Sequence, residues 1–160
     1  MVARSAARHG VPASYIKAVI GAETSFEVPA PNRWEPAVGE YAYGPMQILL
    51  STARQFYPSM TAAELQFPEA NVDAGAAFIR YLMDRHGDDF QRIYSAYNSG
   101  NPDRWQTSGQ VRSNVDRALT WLKRFASEGI VEAGATVSEN AGVLAGLALA
   151  LIFLLMRRKN

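Results

Sequence analysis

The chain has 160 residues, of which 48% are hydrophobic, and a formal net charge of +1. It has no cysteine and only two histidines, which excludes disulfides, thiolate metal sites and a cysteine nucleophile and disfavours a histidine triad or zinc site. The basic residues Arg157–Lys159 carry three of the positive charges, so the rest is slightly acidic and offers no surface suited to nucleic acid.

The sequence divides into a domain and an apolar C-terminal segment. Residues 1–126 are long enough to bury a core and are predicted to form one catalytic domain, followed by a linker over 127–140. Residues 141–156 contain no charged side chain and precede a basic tail at 157–160. As a helix the apolar run spans roughly 24 Å, slightly less than a hydrocarbon core of about 30 Å, and basic side chains that snorkel would close the gap. It is predicted to be a transmembrane helix, with a buried core helix as the alternative.

The elements predicted before this segment are helices and loops. Apolar residues at helical spacing, a capping-box pattern and Gly or Pro at the ends indicate the following helices: Val11–Gly21, Met46–Tyr57, a short one opened by Thr61–Glu64, Pro68–His86, Phe90 to about Tyr97, and Val111–Phe125. Residues 27–44 contain three prolines and two glycines and are interpreted as a long irregular loop. The predicted fold class is therefore all-α.

Glu23 is the acid best placed for chemistry. It lies at or just past the end of the first predicted helix, directly after the apolar stretch 18–22. An acid beside a core stays protonated near neutral pH, and cleavage of a glycosidic bond needs such a proton donor. Most of the other acids lie in polar surroundings typical of a solvated surface. The local pattern by itself also fits a structural glutamate at a helix end.

Four short motifs follow one another along the chain. They are the helix end Glu23–Phe26, the segment Gly44–Ile48 followed by Ser51–Ala53, the small-residue stretch Asn71–Ala76, and Ala96–Gly100 with the sequence Ala-Tyr-Asn-Ser-Gly. In order and spacing they resemble the lytic transglycosylases with the goose-type lysozyme-like fold, over about residues 11–125. The resemblance implies a lysozyme-like helical domain that acts on peptidoglycan glycan strands, with no metal and no cofactor.

The resemblance also assigns roles to individual residues. It implies one catalytic residue, Glu23, and these substrate-binding residues: Thr24, Ser25, Gly44, Met46, Gln47, Tyr97 and Asn98. Gly44 would let the backbone approach a sugar ring closely, and the Gln47 amide offers both a donor and an acceptor. Met46 is either a sugar contact or core, and Asn98 either contacts substrate or fixes its loop. Tyr97 is expected to stack on a sugar or to hold the Glu23 carboxyl.

The sequence departs from the family pattern in two regions. The loop before Gly44 is longer than usual, and its Trp34, Tyr41 and Tyr43 are predicted to add walls to a sugar groove. The last family motif is degenerate, with Gln110 and Asn114 where the family has Glu and Tyr, which puts any substrate contact there in doubt.

The resemblance favours a mechanism in which Glu23 serves first as acid and then as base. Cleavage of the bond between N-acetylmuramic acid and N-acetylglucosamine would then give a 1,6-anhydro product. A lysozyme-type hydrolase with a second carboxylate from Glu27, Glu35 or Glu40 is the alternative. A third possibility is a catalytically inactive protein that binds peptidoglycan in an assembly.

The predicted membrane segment bears on location. Basic residues after 141–156 favour a cytoplasmic C-terminus and an enzyme domain facing the periplasm, although residues 1–15 lack the apolar region of a secretory signal. This combination resembles the virion-associated transglycosylases of membrane-containing bacteriophages, and a wall-remodelling enzyme of a bacterial inner membrane is the alternative. The expected partners are glycan strands, the lipid membrane and virion or membrane-complex proteins, and no nucleic acid.

Overall fold

The structure, a computed structural model, describes residues 1–126 of the chain. Its helices are α1 Val2–His9, α2 Ala13–Thr24, α3 Leu50–Ala53, α4 Ala62–Leu65, α5 Pro68–His86, α6 Phe90–Ser99 and α7 109–126, with a 3-10 turn at Arg104–Gln106. The strands β1 Arg33–Glu35, β2 Glu40–Tyr43 and β3 Ile48–Leu49 form an antiparallel sheet in that order. The predicted linker 127–140, transmembrane helix 141–156 and tail 157–160 lie outside the described residues. Within residues 1–126, no helix is long and apolar enough to cross a membrane.

Helix α5 organises the helical body. It packs against α1, α2, α3, α4 and α6, so most of the described core lies along its length. Val72, Ala76 and Ile79 recur at helical spacing and are fully buried. Pro68 occupies the first turn and the chain turns away at Gly87, so the predicted bounds Pro68–His86 are confirmed.

Side-chain caps fix the start of two further helices. The Thr61 hydroxyl accepts a hydrogen bond from the backbone N–H of Glu64, whose carboxylate accepts one from the N–H of Thr61, so the predicted capping box is confirmed. Asp89 caps α6, since its carboxylate accepts from the backbone N–H of Gln91 at 3.0 Å.

The all-α prediction is wrong in one region, because the segment interpreted as an irregular loop contains a β-hairpin. Strands β1 and β2 pair with Trp34 opposite Tyr41, and the turn between them contains Pro36 and Gly39, whose φ is +68°. The prolines and the glycine therefore bracket the strands instead of interrupting them. Strand β3 adds to the free edge of β2.

The predicted helix Met46–Tyr57 is also wrong except over its middle, Leu50–Ala53. Met46 and Gln47 lie in a turn, Ile48–Leu49 form β3, and only Leu50–Ala53 is helical. Gln47 has a φ of 48°, outside the range of a right-handed helix. The backbone N–H and C=O groups of this segment find hydrogen-bond partners in β2 and in α5. These interactions outweigh the helical periodicity of its side chains.

Candidate active site

Glu23 lies in the last turn of α2, next to the helix end, where it was predicted. The inner face of α2 is buried, including Ile16, Val19 and Ile20, and this places the end of the helix against the core. The Glu23 side chain is only 5% exposed and faces a groove of about 380 Å³. The end of α2 therefore places one buried acid at the edge of a groove.

Two side chains hold the Glu23 carboxyl. The Tyr94 hydroxyl donates to Oε1 at 2.8 Å, and Nη2 of Arg33 donates to Oε2 at 3.3 Å. Burial raises the pKa of Glu23 above its ordinary value, whereas Tyr94, Arg33 and the charge of Arg117 oppose that rise. The net direction is upward, so the acid retains its proton to a higher pH than a solvated glutamate.

Arg33 connects Glu23 to a second acid of the groove. Its Nε donates to Oε1 of Glu35 at 2.6 Å while Nη2 reaches Glu23, so one guanidinium lies between two carboxylates. Glu35 is the one of the three loop acids that lines the groove. The Glu40 carboxylate instead accepts from the backbone N–H of Ser51 and lines a separate cavity. Glu27 is exposed and does not line the groove.

Gln47 lines the groove, and among the described residues only the nitrogen of its side-chain amide makes hydrogen bonds. Its Nε2 donates to the carbonyls of Pro31 and Gly44 at 2.7 and 2.8 Å. Its Oε1 is buried and accepts no hydrogen bond from any described residue. A buried acceptor without a partner is costly in a folded protein. The Gln47 side-chain oxygen is therefore an acceptor without a partner among the described residues, in a side chain that lines the groove.

Tyr97 and Asn98 also line the groove, at the end of α6. The Tyr97 hydroxyl donates to the Met46 carbonyl at 2.7 Å, and its ring stacks on Tyr94 with a centroid separation of 6.1 Å. The carboxyl of Glu23 is thus held by Tyr94 and not by Tyr97. Asn98 Oδ1 accepts a hydrogen bond from Nδ2 of Asn114 at 3.1 Å, so α7 fixes the loop that follows α6. This bond gives a role to Asn114, which stands where the last family motif has Tyr.

The other four predicted substrate-binding residues do not line this groove. Thr24 is buried, and its hydroxyl donates to the carbonyl of Pro45 at 3.0 Å, which ties α2 to the turn. Ser25 is exposed and ends α2 in a left-handed conformation. Met46 is fully buried, so it is core and makes no surface available to a sugar.

Gly44 is packed against protein and not open to a ligand. Its φ is +66°, and a Cβ at this position would lie 2.6 Å from Cγ of Asn71. The buried Asn71 amide donates to the Tyr43 carbonyl at 2.7 Å and accepts from the N–H of Met46 at 2.8 Å. Asn71 therefore holds the turn that presents Gln47 to the groove.

Sequence reasoning missed Tyr94 and Arg33 as partners of Glu23. A signal for Tyr94 exists, because it lies on the apolar side of α6 and a buried tyrosine hydroxyl needs a hydrogen-bond partner. No local signal marks Arg33, since its direction depends on the register of the hairpin.

The prediction that aromatic residues of the loop form walls of the groove is wrong. Side chains alternate along paired strands, so Arg33 and Glu35 face the groove while Trp34, Tyr41 and Tyr43 project from the opposite face. These three rings line a separate cavity of about 290 Å³. Within residues 1–126, no cluster of His, Asp or Glu side chains is arranged to hold a metal ion.

Comparison with known proteins places the chain in a family. The family model described as the transglycosylase SLT domain matches residues 1–120, and the chain belongs to this family. The structure is similar to an inactive mutant of the lytic transglycosylase Slt from Pseudomonas aeruginosa, with a TM-score of 0.64 and 20% identity over 79% of this chain and 23% of that one. The 70 kDa soluble lytic transglycosylase Slt70 from Escherichia coli matches with a TM-score of 0.48 and 25% identity over 75% of this chain and 18% of that one. The chain thus spans less than a quarter of either solved protein.

Proposed function

We propose that this chain is a peptidoglycan lytic transglycosylase and that Glu23 is its single catalytic acid and base. The observation that carries the proposal is a buried carboxyl with a raised pKa, facing a groove within the fold of the family. The substrate would be the glycan strand of peptidoglycan, cleaved between N-acetylmuramic acid and N-acetylglucosamine.

In the first step Glu23 acts as the acid. Its carboxylic proton passes to the glycosidic oxygen, the bond from that oxygen to C1 of the muramoyl ring breaks, and the N-acetylglucosamine end leaves with a free 4-hydroxyl. Burial suits this step, because a desolvated acid keeps its proton to a higher pH than a solvated one. The acetamido group of the substrate stabilises the positive charge that develops at C1.

In the second step the Glu23 carboxylate acts as the base. It takes the proton of the C6 hydroxyl, O6 bonds to C1, and the 1,6-anhydro ring closes without water. The anion formed between the steps is stabilised by the Arg33 guanidinium and the Tyr94 hydroxyl, which contact its two oxygens. The same pocket therefore supports both protonation states in turn, and Glu23 regains its proton.

Replacement of the acid tests the proposal. Glu23→Gln preserves the size of the side chain and removes the transferable proton, so cleavage of purified cell wall in a zymogram is expected to be abolished. Glu27→Gln, at an exposed loop acid outside the groove, is the matched control and is expected to retain cleavage. Cleavage retained in Glu23→Gln would refute the assignment, and a folded wild-type chain that binds wall without cleaving it would indicate an inactive binding protein.

The products distinguish a transglycosylase from a hydrolase. Mass spectrometry of the released fragments is expected to show anhydro ends with no added water. Glu35 is the loop acid that the hydrolytic alternative requires, but its carboxylate is engaged by Arg33 at 2.6 Å. Products that contain an added water would favour the hydrolase.

We also propose, from the sequence alone, that residues 141–156 anchor the enzyme in a membrane. The apolar run and the basic residues after it support this proposal. The proposed setting is the virion membrane of a bacteriophage, where the enzyme would open the wall during infection or release, and a bacterial inner membrane is the alternative. Detection of the protein in purified virions would support the first setting, and its restriction to the host membrane fraction would support the second.

A further inference from the structure

We propose that the outer face of the β-hairpin is a second saccharide-binding site, which takes a part of the glycan strand outside the catalytic groove. The identity of the ligand rests on the proposed function. Trp34 and Tyr41 project from this face, are 50% and 48% exposed, and lie with their ring centroids 5.0 Å apart. Exposed aromatic pairs of this kind offer broad apolar surfaces to the faces of sugar rings.

Polar groups beside the rings are held in fixed positions. The Glu40 carboxylate accepts from the backbone N–H of Ser51 at 3.1 Å, and the Arg54 guanidinium donates from Nε to the carbonyl of Met60 at 2.9 Å. Both side chains line the cavity together with the aromatic rings. A carboxylate and a guanidinium beside an aromatic surface match the alternating hydroxyls and apolar faces of a sugar, and their fixed positions lower the entropic cost of binding.

The second cavity is continuous in sequence with the catalytic groove. Val38 and Leu49 line the groove, and their immediate neighbours Gly39 and Leu50 line the second cavity. The linings of the two cavities are therefore one residue apart along the chain at the hairpin turn and at the start of α3. We infer that a glycan strand long enough to pass one of these edges would engage both sites.

The size of the second cavity favours a saccharide over a protein partner. Its volume is about 290 Å³, just below the roughly 300–1,000 Å³ typical of small-ligand pockets. A stable protein interface buries about 800 Å² on each partner, far more than two aromatic rings and their polar neighbours provide. Two adjoining contacts with one polymer would raise the affinity for long strands by increasing the local concentration of the second contact.

Co-sedimentation with purified insoluble sacculi tests the site. In a Glu23→Gln background, which prevents loss of the wall by cleavage, Trp34→Ala and Tyr41→Ala are each expected to weaken binding roughly tenfold. Phe67→Ala, at an exposed aromatic residue that lines neither cavity, is the matched control and is expected to bind like the parent. Unchanged binding to sacculi in both hairpin variants would overturn the proposal. Variants that keep their affinity for sacculi but lose affinity for anionic phospholipid vesicles would also overturn it.

A variant outside the hairpin separates this site from the catalytic groove. Trp34 is adjacent to Arg33 in the strand, so its replacement can disturb Glu23, whereas Arg54 follows α3 and does not line the catalytic groove. With Glu23 intact, Arg54→Gln is expected to lower cleavage of sacculi more than cleavage of a short soluble glycan. Equal losses on both substrates would overturn the proposal. Failure of the proposed function would appear as cleavage by Glu23→Gln, whereas failure of the second site would appear as unchanged binding in the hairpin variants, so the two failures are distinguishable.

Discussion

The Tyr94 hydroxyl donates a 2.8 Å hydrogen bond to Oε1 of Glu23, across 71 positions of sequence. Tyr94 is fully buried, and burial and the nearby Glu23 carboxylate raise the pKa of its hydroxyl well above the ordinary value. The hydroxyl therefore stays a donor throughout the working pH range and stabilises the carboxylate form of Glu23.

Tyr94→Phe is expected to slow cleavage roughly tenfold to a hundredfold, since a hydrogen bond to a charged group contributes about 1.5–3 kcal/mol. The lost bond favoured the anion, so the pKa of Glu23 rises further in the variant. The limb of the pH–rate profile that falls with increasing pH should move to higher pH. Tyr15→Phe is the control, because Tyr15 donates to Asp88 away from the groove, and a similar shift there would contradict this role for Tyr94.

Arg33→Gln removes the cation between Glu23 and Glu35. The charge of Arg33 opposes the rise in the pKa of Glu23, so its loss should extend activity toward higher pH while the maximal rate falls. Arg33→Lys should restore part of the rate, because it keeps the charge but not the fork geometry. Arg80→Gln, at an arginine paired with Asp84 outside the groove, serves as the control in the same kinetic assay.

The Glu35→Gln variant tests whether the enzyme uses one catalytic carboxylate or two. If Glu35 only orients Arg33, the variant should keep measurable cleavage and still release anhydro products by mass spectrometry. Glu27→Gln, at an exposed loop acid that lines neither cavity, is the comparison. Loss of cleavage in Glu35→Gln as complete as in Glu23→Gln would favour the hydrolytic alternative.

Gly44→Ala should destabilise the domain more than Gly10→Ala. Both glycines have a similar positive φ, +66° and +62°, so both variants carry a strain of roughly 1–2 kcal/mol. Only at Gly44 would the added Cβ meet Asn71, at 2.6 Å, whereas Gly10 has open space around it. We expect a total loss of roughly 3 kcal/mol or more at Gly44, measured by denaturant unfolding. Equal losses of unfolding free energy in the two variants would show that Asn71 moves away from the added Cβ at no cost.

Asp73 holds α1 against α5, and its effect on stability should depend on pH. Its carboxylate accepts from Tyr57 at 2.6 Å and from Arg8 at 3.0 Å, and it lies 3.1 Å from Nε2 of His9. Burial alone would raise the pKa of Asp73, but these partners outweigh burial and hold it below its ordinary value. The stabilisation is therefore present above the ordinary pKa of about 3.9 and is lost as the pH falls through the lower folded-state value.

Asp73→Asn is accordingly expected to cost roughly 2 kcal/mol at neutral pH and much less near pH 2, by thermal unfolding. Asp84→Asn, at an exposed aspartate, is the matched control with little expected change. A loss of stability in Asp73→Asn that does not change with pH would show that the charged carboxylate is not the source of the stabilisation.

The sequence alone determined the features that depend on neighbours within a few positions. The bounds of α5 follow from apolar spacing with Pro68 and Gly87 at its ends, and the capping box at Thr61 is a pattern within four residues. The position of Glu23 at a helix end beside the core also follows from local periodicity.

Only the tertiary structure decided which groups meet across long sequence separations. The partners of Glu23, the packing of Met46 into the core and the anchoring of the Gly44 turn by Asn71 each join residues from different elements. The hairpin shows the reason most clearly, because a shift of one residue in its register would exchange the Arg33 and Trp34 faces. That register is fixed by pairing between strands, so local sequence does not reveal which face carries charge to the groove and which presents aromatic rings outside it.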